Sequence, residues 1–286
     1  MNAEVLPFLR CTCCGGELVL QHARYEDSGE VITGSLWCLS DQVAFPIRDG
    51  IIDFLGPPRP FSLAQIINEL PPTAWAYERL WRPFALTLLS GERFPYRREL
   101  PLLVGLAEPQ RGGLWLDIAC GNGLYARALA RASQGDAVVV ALEHALPMLA
   151  QGRRYARSAG VRVTFVRASA QALPFASATA AGAVIGGSLN EIGDLDTCLA
   201  EIARVINPNG RFVAMTLVRG RTKLGRLVQR LLGLGGIAFW SPDELRARMQ
   251  QQGLYLRSMW RYGIVLFTLC LPRPVGDSQA SQDGIQ

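Results

Sequence analysis

From residue 113 onward the chain alternates short apolar runs with amphipathic ones. Residues 114–118, 137–142, 161–167, 183–186 and 211–217 are short and almost continuously apolar, which predicts buried strands. Between them, residues 125–132, 146–159 and 197–205 carry apolar positions at helical spacing. Strands alternating with helices predict a parallel, doubly wound α/β sheet. After Ser241 and Pro242, a serine cap followed by a first-turn proline, residues 243–252 read as a helix ended by Gly253. Two further strand-like runs, 255–261 and 264–269, are separated only by Tyr262 and Gly263, so they are expected to pair antiparallel.

The pattern before residue 113 is different. Residues 1–56 hold short strand-like pieces at 17–21, 31–37 and 43–47 and an apolar ending at 51–55, and then Gly56 and three prolines within 57–60 break the chain. From about 61 to 106 the pattern turns helical, with Trp75, Tyr77, Leu80, Trp81 and Phe84 forming an aromatic stripe of the kind that usually belongs to a core. The polar tail, 272–286, is expected to be disordered. The expected organisation is therefore a small β unit (1–56), a linker and helical cap (57–106), an α/β domain (107–271) and the tail.

Composition narrows the chemistry. With 286 residues, 49% of them hydrophobic, the chain can bury at least one large core, and its net charge of +5 does not by itself imply nucleic acid. Lys223 is the only lysine, and His22 and His144 are the only histidines. A Walker-type phosphate loop and an H-E-x-x-H zinc helix are therefore excluded. A Schiff base would need Lys223, and residues 186–190 lack the closing glycine of a nucleophile elbow. The first residues show no secretory pattern, and no apolar run approaches the roughly 18 residues of a membrane span, so a cytoplasmic, soluble protein is expected. Seven cysteines, with Cys11, Cys13 and Cys14 crowded together and Cys38 following, suit a metal site better than a disulfide framework.

The strongest chemical signal is LDIACGNG at 116–123, a strand running into a glycine turn and then a helix. Glycines there let the backbone approach a ligand, and the helix N-terminus offers unpaired N–H groups. Gly121, Gly123 and Ala126 fit G-x-G-x-x-G/A, and Glu143 ends the next strand about 20 residues on, where a carboxylate accepts from ribose hydroxyls. Asp117 discriminates between cofactors, because a carboxylate at the strand end repels a pyrophosphate and attracts an α-ammonium group. S-adenosylmethionine (SAM) carries both the ammonium and the ribose.

On these residues the chain, over about 75–271, resembles the class I SAM-dependent methyltransferases. The matching stretches are LDIACGNG, Glu143 with Met148 and Leu149, residues 170–175, residues 201–210 and residues 239–245. Among subfamilies it is most similar to the quinone C-methyltransferase-like group, including plastid and cyanobacterial members that carry Tyr77-Glu78-Arg79-x-Trp81-Arg82 in the cap. The resemblance implies a Rossmann-like sheet and a cofactor site formed by Tyr77, Asp117, Ala119, Gly121, Gly123, Glu143, His144, Ser169 and Ala170. Ser169 stands where the family usually has an acid for the adenine amino group, and Ala181 replaces an acid at the entry to the fourth strand.

The N-terminal unit resembles small zinc-ribbon-like domains fused to, or partnering, some methyltransferases. Its first knuckle is Cys11 to Cys14, and the second is Cys38 and Asp41, with Asp where the last Cys belongs. Cys11, Cys14, Cys38 and Asp41 are the candidate zinc ligands, Cys13 or His22 are possible substitutes, and a metal-free remnant is the alternative.

An acceptor pocket is expected at the strand C-termini, where Asn190 and Glu191 follow the fourth strand as candidate catalytic residues. Residues 219–230 hold Arg219, Arg221, Lys223, Arg226 and Arg230 without an acid, interleaved with Leu224, Leu227, Val228, Leu231 and Leu232. Such a segment suits a lid over an apolar acceptor, a peripheral membrane contact or a grip on RNA, and equally a helix packing its leucines on the sheet. The leading expectation is a methyltransferase for a hydrophobic small-molecule acceptor such as a quinol, a phenolic or a lipid-like metabolite. The rivals are RNA base methylation, disfavoured because no Asn/Asp-Pro-Pro-Tyr-type motif is present, and a non-catalytic binding module.

Overall fold

The structure, a computed structural model, describes residues 1–56, 78, 82–234 and 236–272, without the side chains of Leu224 and Val228. Tyr77, most of the aromatic stripe, the linker and nearly all of the tail lie outside the described residues.

The expected α/β alternation is present. Strands β5 (Gly113–Ile118), β6 (Ala137–Glu143), β7 (Thr164–Arg167), β8 (Ala180–Gly186) and β9 (Ile206–Leu217) pair parallel in the order β7-β6-β5-β8-β9. Beyond β9 the sheet turns antiparallel through β11 (Val265–Leu271) and then β10 (Tyr255–Tyr262), which form the anticipated hairpin. Parallel pairing buries both faces, which is why β5 to β8 read as nearly unbroken apolar runs rather than alternating ones.

The sheet continues past β7. Strands β1 (Leu18–Tyr25), β2 (Val31–Cys38), β3 (Val43–Arg48) and β4 (Ile51–Asp53) form an antiparallel meander, and β4 then pairs parallel with β7. The result is one 11-stranded sheet that joins the N-terminal unit to the α/β part, where the sequence suggested two units in tandem. Ile51, Ile52 and Asp53 are all buried at this seam, and Asp53 pairs with Arg167 of β7 at 3.2 Å. Glu30 bridges from the β1–β2 turn to Arg153 and Arg157 on a helix packed beside it.

The described helices are α1 (Arg82–Ser90), α2 (Tyr96–Ala107), α3 (Leu124–Ala132), α4 (Leu146–Ser158), α5 (Leu195–Val205), α6 (Lys223–Gly233) and α7 (Pro242–Gln251). The Ser241 hydroxyl and Glu244 carboxylate form a reciprocal capping box that fixes the start of α7 where Ser-Pro predicted it. Several boundaries differ from the sequence reading: β1 runs on to Tyr25, and β8 starts earlier, at Ala180. Strand β7 begins at Thr164 because Val161 N–H still bonds Ala156 of α4, and β9 begins at Ile206, with residues 207–210 forming a bulge before the pairing resumes at Arg211. No described helix is long and apolar enough to cross a membrane.

Candidate active site and metal cluster

The cofactor candidates converge at the carboxyl ends of β5 and β6. Asp117 is buried, and its Oδ2 accepts from Ala126 N–H at 2.8 Å, in the first turn of α3. Burial pushes its carboxyl up to about 7, against the pull of that N–H and of the Arg82 and Arg127 guanidiniums. Ala119, Gly121 and Gly123 all have φ between +50° and +75°, so the turn is left-handed at each alternate residue. A Cβ on Gly123 would sit 3.1 Å from the Phe165 ring, and Ala119 bears the strain of this region as a residue with a side chain. Ser188 Oγ donates to Ala119 O at 3.1 Å and ties this turn to the loop after β8.

Glu143 closes the other side. Its Oε2 accepts from Gly121 N–H at 3.0 Å, while Oε1 accepts from the backbone N–H of His144 and Ala145 and lies 2.7 Å from His144 Nδ1. Burial alone would raise its carboxyl, but these donors together hold it below the ordinary glutamate range. It therefore presents a charged, oriented acceptor, and Oε2 has the more open lone pair of its two oxygens. Ser169 Oγ donates to Gln171 Oε1 at 2.5 Å and accepts Gln171 N–H, and Ala170 is half-buried within the same turn. This turn is fixed from below: Glu201 accepts Leu173 N–H, and Arg204 donates to Leu173 O and Phe175 O.

A buried ionic cluster under the site was not assigned from sequence. Arg82 of α1 donates to Glu99 of α2 at 2.6 Å and to Gly186 O at 3.0 Å, at the end of β8, and Tyr125 donates to the same Glu99 oxygen at 2.5 Å. A Cβ on Gly186 would lie 2.7 Å from the Tyr125 ring. Arg127 is held by Glu78 and by Asn122 O, and the buried Asn122 side chain has no hydrogen-bond partner among the described residues, leaving a polar amide beside the glycine turn. Arg82 and Glu78 belong to the quoted cap motif, which was the available signal; Glu99 sits in an ordinary amphipathic helix that carried none.

The two catalytic candidates separate. Asn190 is buried with all its amide capacity committed: Nδ2 donates to Leu217 O and Ala238 O, and Oδ1 accepts from Thr216 Oγ1 and Leu217 N–H. This corrects the expectation that it faces an acceptor; it straps β9 to the segment before α7. Glu191 is accessible at the rim, and the surrounding protein with the Glu143 charge raises its carboxyl above the ordinary range, with His144 opposing.

In the N-terminal unit, the ligand atoms of Cys11, Cys14, Cys38 and Asp41 all lie within 4.8 Å of one another, and neither Cys13 nor His22 joins the group. Cys14 and Cys38 sulfurs are 3.6 Å apart, close to the ~3.8 Å edge of a tetrahedron built on Zn–S bonds of about 2.3 Å. Cys13 N–H points at the Cys11 sulfur and Gly16 N–H at that of Cys14. Three sulfurs and one carboxylate so directed fit a zinc ion.

Residues 116–210 match a methyltransferase-domain family, and residues 2–50 match the Trm112p-like proteins. Over 164 residues the chain is 34% identical to a demethylmenaquinone methyltransferase of Thermus thermophilus, covering 50% of this chain and 74% of that enzyme. The chain belongs to the SAM-dependent methyltransferase family. An uncharacterised chloroplast methyltransferase of Arabidopsis thaliana is 28% identical over 56% of this chain, which spans 45% of its length. Among solved structures, the complex between the Haloferax volcanii Trm112 methyltransferase activator and a methyltransferase superposes with a TM-score of 0.57 at 15% identity, covering 76% of this chain and all of that one. Likeness at that identity concerns the fold. As a member of this family the chain uses the Rossmann-like sheet seen here as a methyltransferase scaffold.

Proposed function

We propose that this methyltransferase binds SAM between the β5 and β6 ends and methylates a hydrophobic small molecule of the quinol, phenolic or lipid-like class. The observation that carries the reading is the pair of buried carboxylates, Asp117 and Glu143, on either side of a left-handed glycine turn. SAM would supply an electrophilic methyl group on a sulfonium. Asp117 would face its ammonium and Glu143 its ribose hydroxyls; Ala119, Gly121 and Gly123 would let the backbone lie close, with His144, Ser169 and Ala170 along the adenosine side. Such a transfer needs in-line alignment above all, and a base where the acceptor starts protonated. Glu191, accessible and of raised basicity, would take that proton. The acceptor class is supported by the demethylmenaquinone methyltransferase relative, and zinc on Cys11, Cys14, Cys38 and Asp41 by their spacing.

We also infer that residues 1–56 act as a built-in counterpart of a Trm112-type activator, joined to the catalytic part through β4 and β7. A second reading, RNA as acceptor, draws on the basic residues of α6. Isotope-labelled SAM incubated with the protein and separated lipid and RNA fractions of an extract tests both. Label in the lipid fraction is expected; label in RNA alone would replace the first reading with the second, and failure to bind SAM in calorimetry would overturn both.

A further inference from the structure

Of the alternatives for α6, packing of its leucines on the sheet is not met by Leu227, Leu231 and Leu232, which are exposed. Its anchor is polar: Gln229 is buried, donating to Val218 O at 3.0 Å and accepting Gly220 N–H at 2.8 Å, so the helix is held at the carboxyl end of β9. Thr222 caps its start. With Gln229 facing inward, Leu227, Leu231 and Leu234 fall at i, i+4 and i+7 on one outward stripe, and Leu231 is 61% and Leu234 87% exposed. Burial of such a stripe, rather than helix propensity, normally stabilises a helix of this length, and here no described residue buries it.

A second stripe lies nearby. Phe84 and Leu88 of α1, again at i and i+4, are 64% and 68% exposed. Ile264 N–H bonds Leu89 O at the end of α1, and Ile264 O accepts Val218 N–H next to the Gln229 anchor, so one hairpin turn holds both helices. The charges have one sign. Residues 219–234 contain five cations and no acid; Arg219 pairs with Glu244, and among the described residues Arg221, Lys223, Arg226 and Arg230 form no ion pair. Lys223, Arg226 and Arg230 form their own row at i, i+3 and i+7 beside the leucines.

We propose that α6, with the Phe84–Leu88 stripe of α1, docks on the surface of a bilayer containing anionic phospholipids. Leucines then enter the headgroup boundary while the flanking row meets lipid phosphates. A second copy of the chain is disfavoured, because a two-fold contact would set these cations against their own like. RNA would engage the cations but leave the leucines in water. Docking would turn the carboxyl end of the parallel strands toward the membrane. The inference does not rest on the acceptor assigned above, since it concerns a surface outside the cofactor site.

Sedimentation of the full chain with vesicles tests it. Binding is expected to phosphatidylcholine vesicles that include phosphatidylglycerol, weaker to phosphatidylcholine alone and weaker in high salt. The Leu227→Ser/Leu231→Ser variant should lose at least about tenfold in vesicle affinity, and Arg226→Gln and Arg230→Gln roughly fivefold each. All should keep the parent melting temperature and SAM affinity, because these side chains are exposed and none of them bonds Asp117 or Glu143. Absence of binding to the anionic vesicles overturns the proposal, as does binding that survives the double leucine variant. So does protection of α6 from hydrogen exchange by RNA or by raised protein concentration but not by vesicles.

Discussion

At the residue scale, the most consequential side chain is a carboxylate in the wrong dielectric. Asp117 has a folded pKa of about 7 against an ordinary value of 3.8, so its ionisation costs nothing below the lower value and its full penalty applies above about 7. Without ligand, stability should therefore fall as pH rises through this window. A bound ammonium would favour the charged form, so SAM affinity should rise with pH, by up to about tenfold per unit below 7, until the ligand's own amine begins to deprotonate near 8. Calorimetry across pH 5 to 8 measures both slopes, and Asp117→Asn should flatten them; a flat profile in the parent protein would remove Asp117 from the ammonium site. Glu143→Ala should cost about 1.5 to 3 kcal/mol for each charge-assisted hydrogen bond lost to the ribose, and Gly121→Val, at φ +54°, should block binding outright. These residues were legible because a strand, a glycine turn and an acid at a fixed separation form a local pattern. Asn190 was misread for the converse reason: a polar residue after a strand looks the same in sequence whether its amide faces a ligand or four protein partners.

At the element scale, the parallel sheet and closing hairpin followed from apolar periodicity alone, since each strand is a short run bounded by breakers. The seam did not. Ile51-Ile52-Asp53 reads as the last piece of a small unit, and three residues carry no information on which strand lies beside them or in which direction. The support of α1 and α2 was hidden likewise, because Arg82, Glu99 and Tyr125 meet across separations that leave no spacing signal. Their contact makes a sharp prediction. Glu99 is fully buried, so Arg82→Met should destabilise the fold by about 3 to 5 kcal/mol by stranding its charge, whereas the double variant Arg82→Met/Glu99→Leu should recover much of that loss. Denaturant midpoints with an unchanged slope would confirm it. If the double variant is no more stable than the single one, Arg82 acts through Gly186 and the end of β8 rather than through the ion pair.

At the scale of the whole molecule, one continuous sheet connects the cysteine-bearing meander to β7, and side chains carry the connection on to Glu143. The path is short and polar: Asp53 of β4 pairs with Arg167 of β7 at 3.2 Å, Arg167 Nε donates to His144 O at 2.8 Å, and His144 N–H and Nδ1 hold Glu143 Oε1. Arg167 also bonds Gly56 O, at the last described residue of the N-terminal unit before the linker. Each member of the path is buried or half-buried, so loosening β4 leaves the Arg167 charge short of a partner and frees it to shift the turn that orients Glu143. Asp53→Ala should accordingly weaken SAM binding although Asp53 lies outside the proposed cofactor shell, and it should do so without changing zinc content. Zinc removal by a chelator should reproduce the effect in the parent protein by releasing Cys11, Cys14, Cys38 and Asp41 and, through them, the meander that ends in β4. In a chain already carrying Asp53→Ala, the same chelator should add little to the SAM dissociation constant, because the two perturbations act along one path. Full additivity of the two losses would show that the N-terminal unit stabilises the fold without reaching the cofactor site through Arg167.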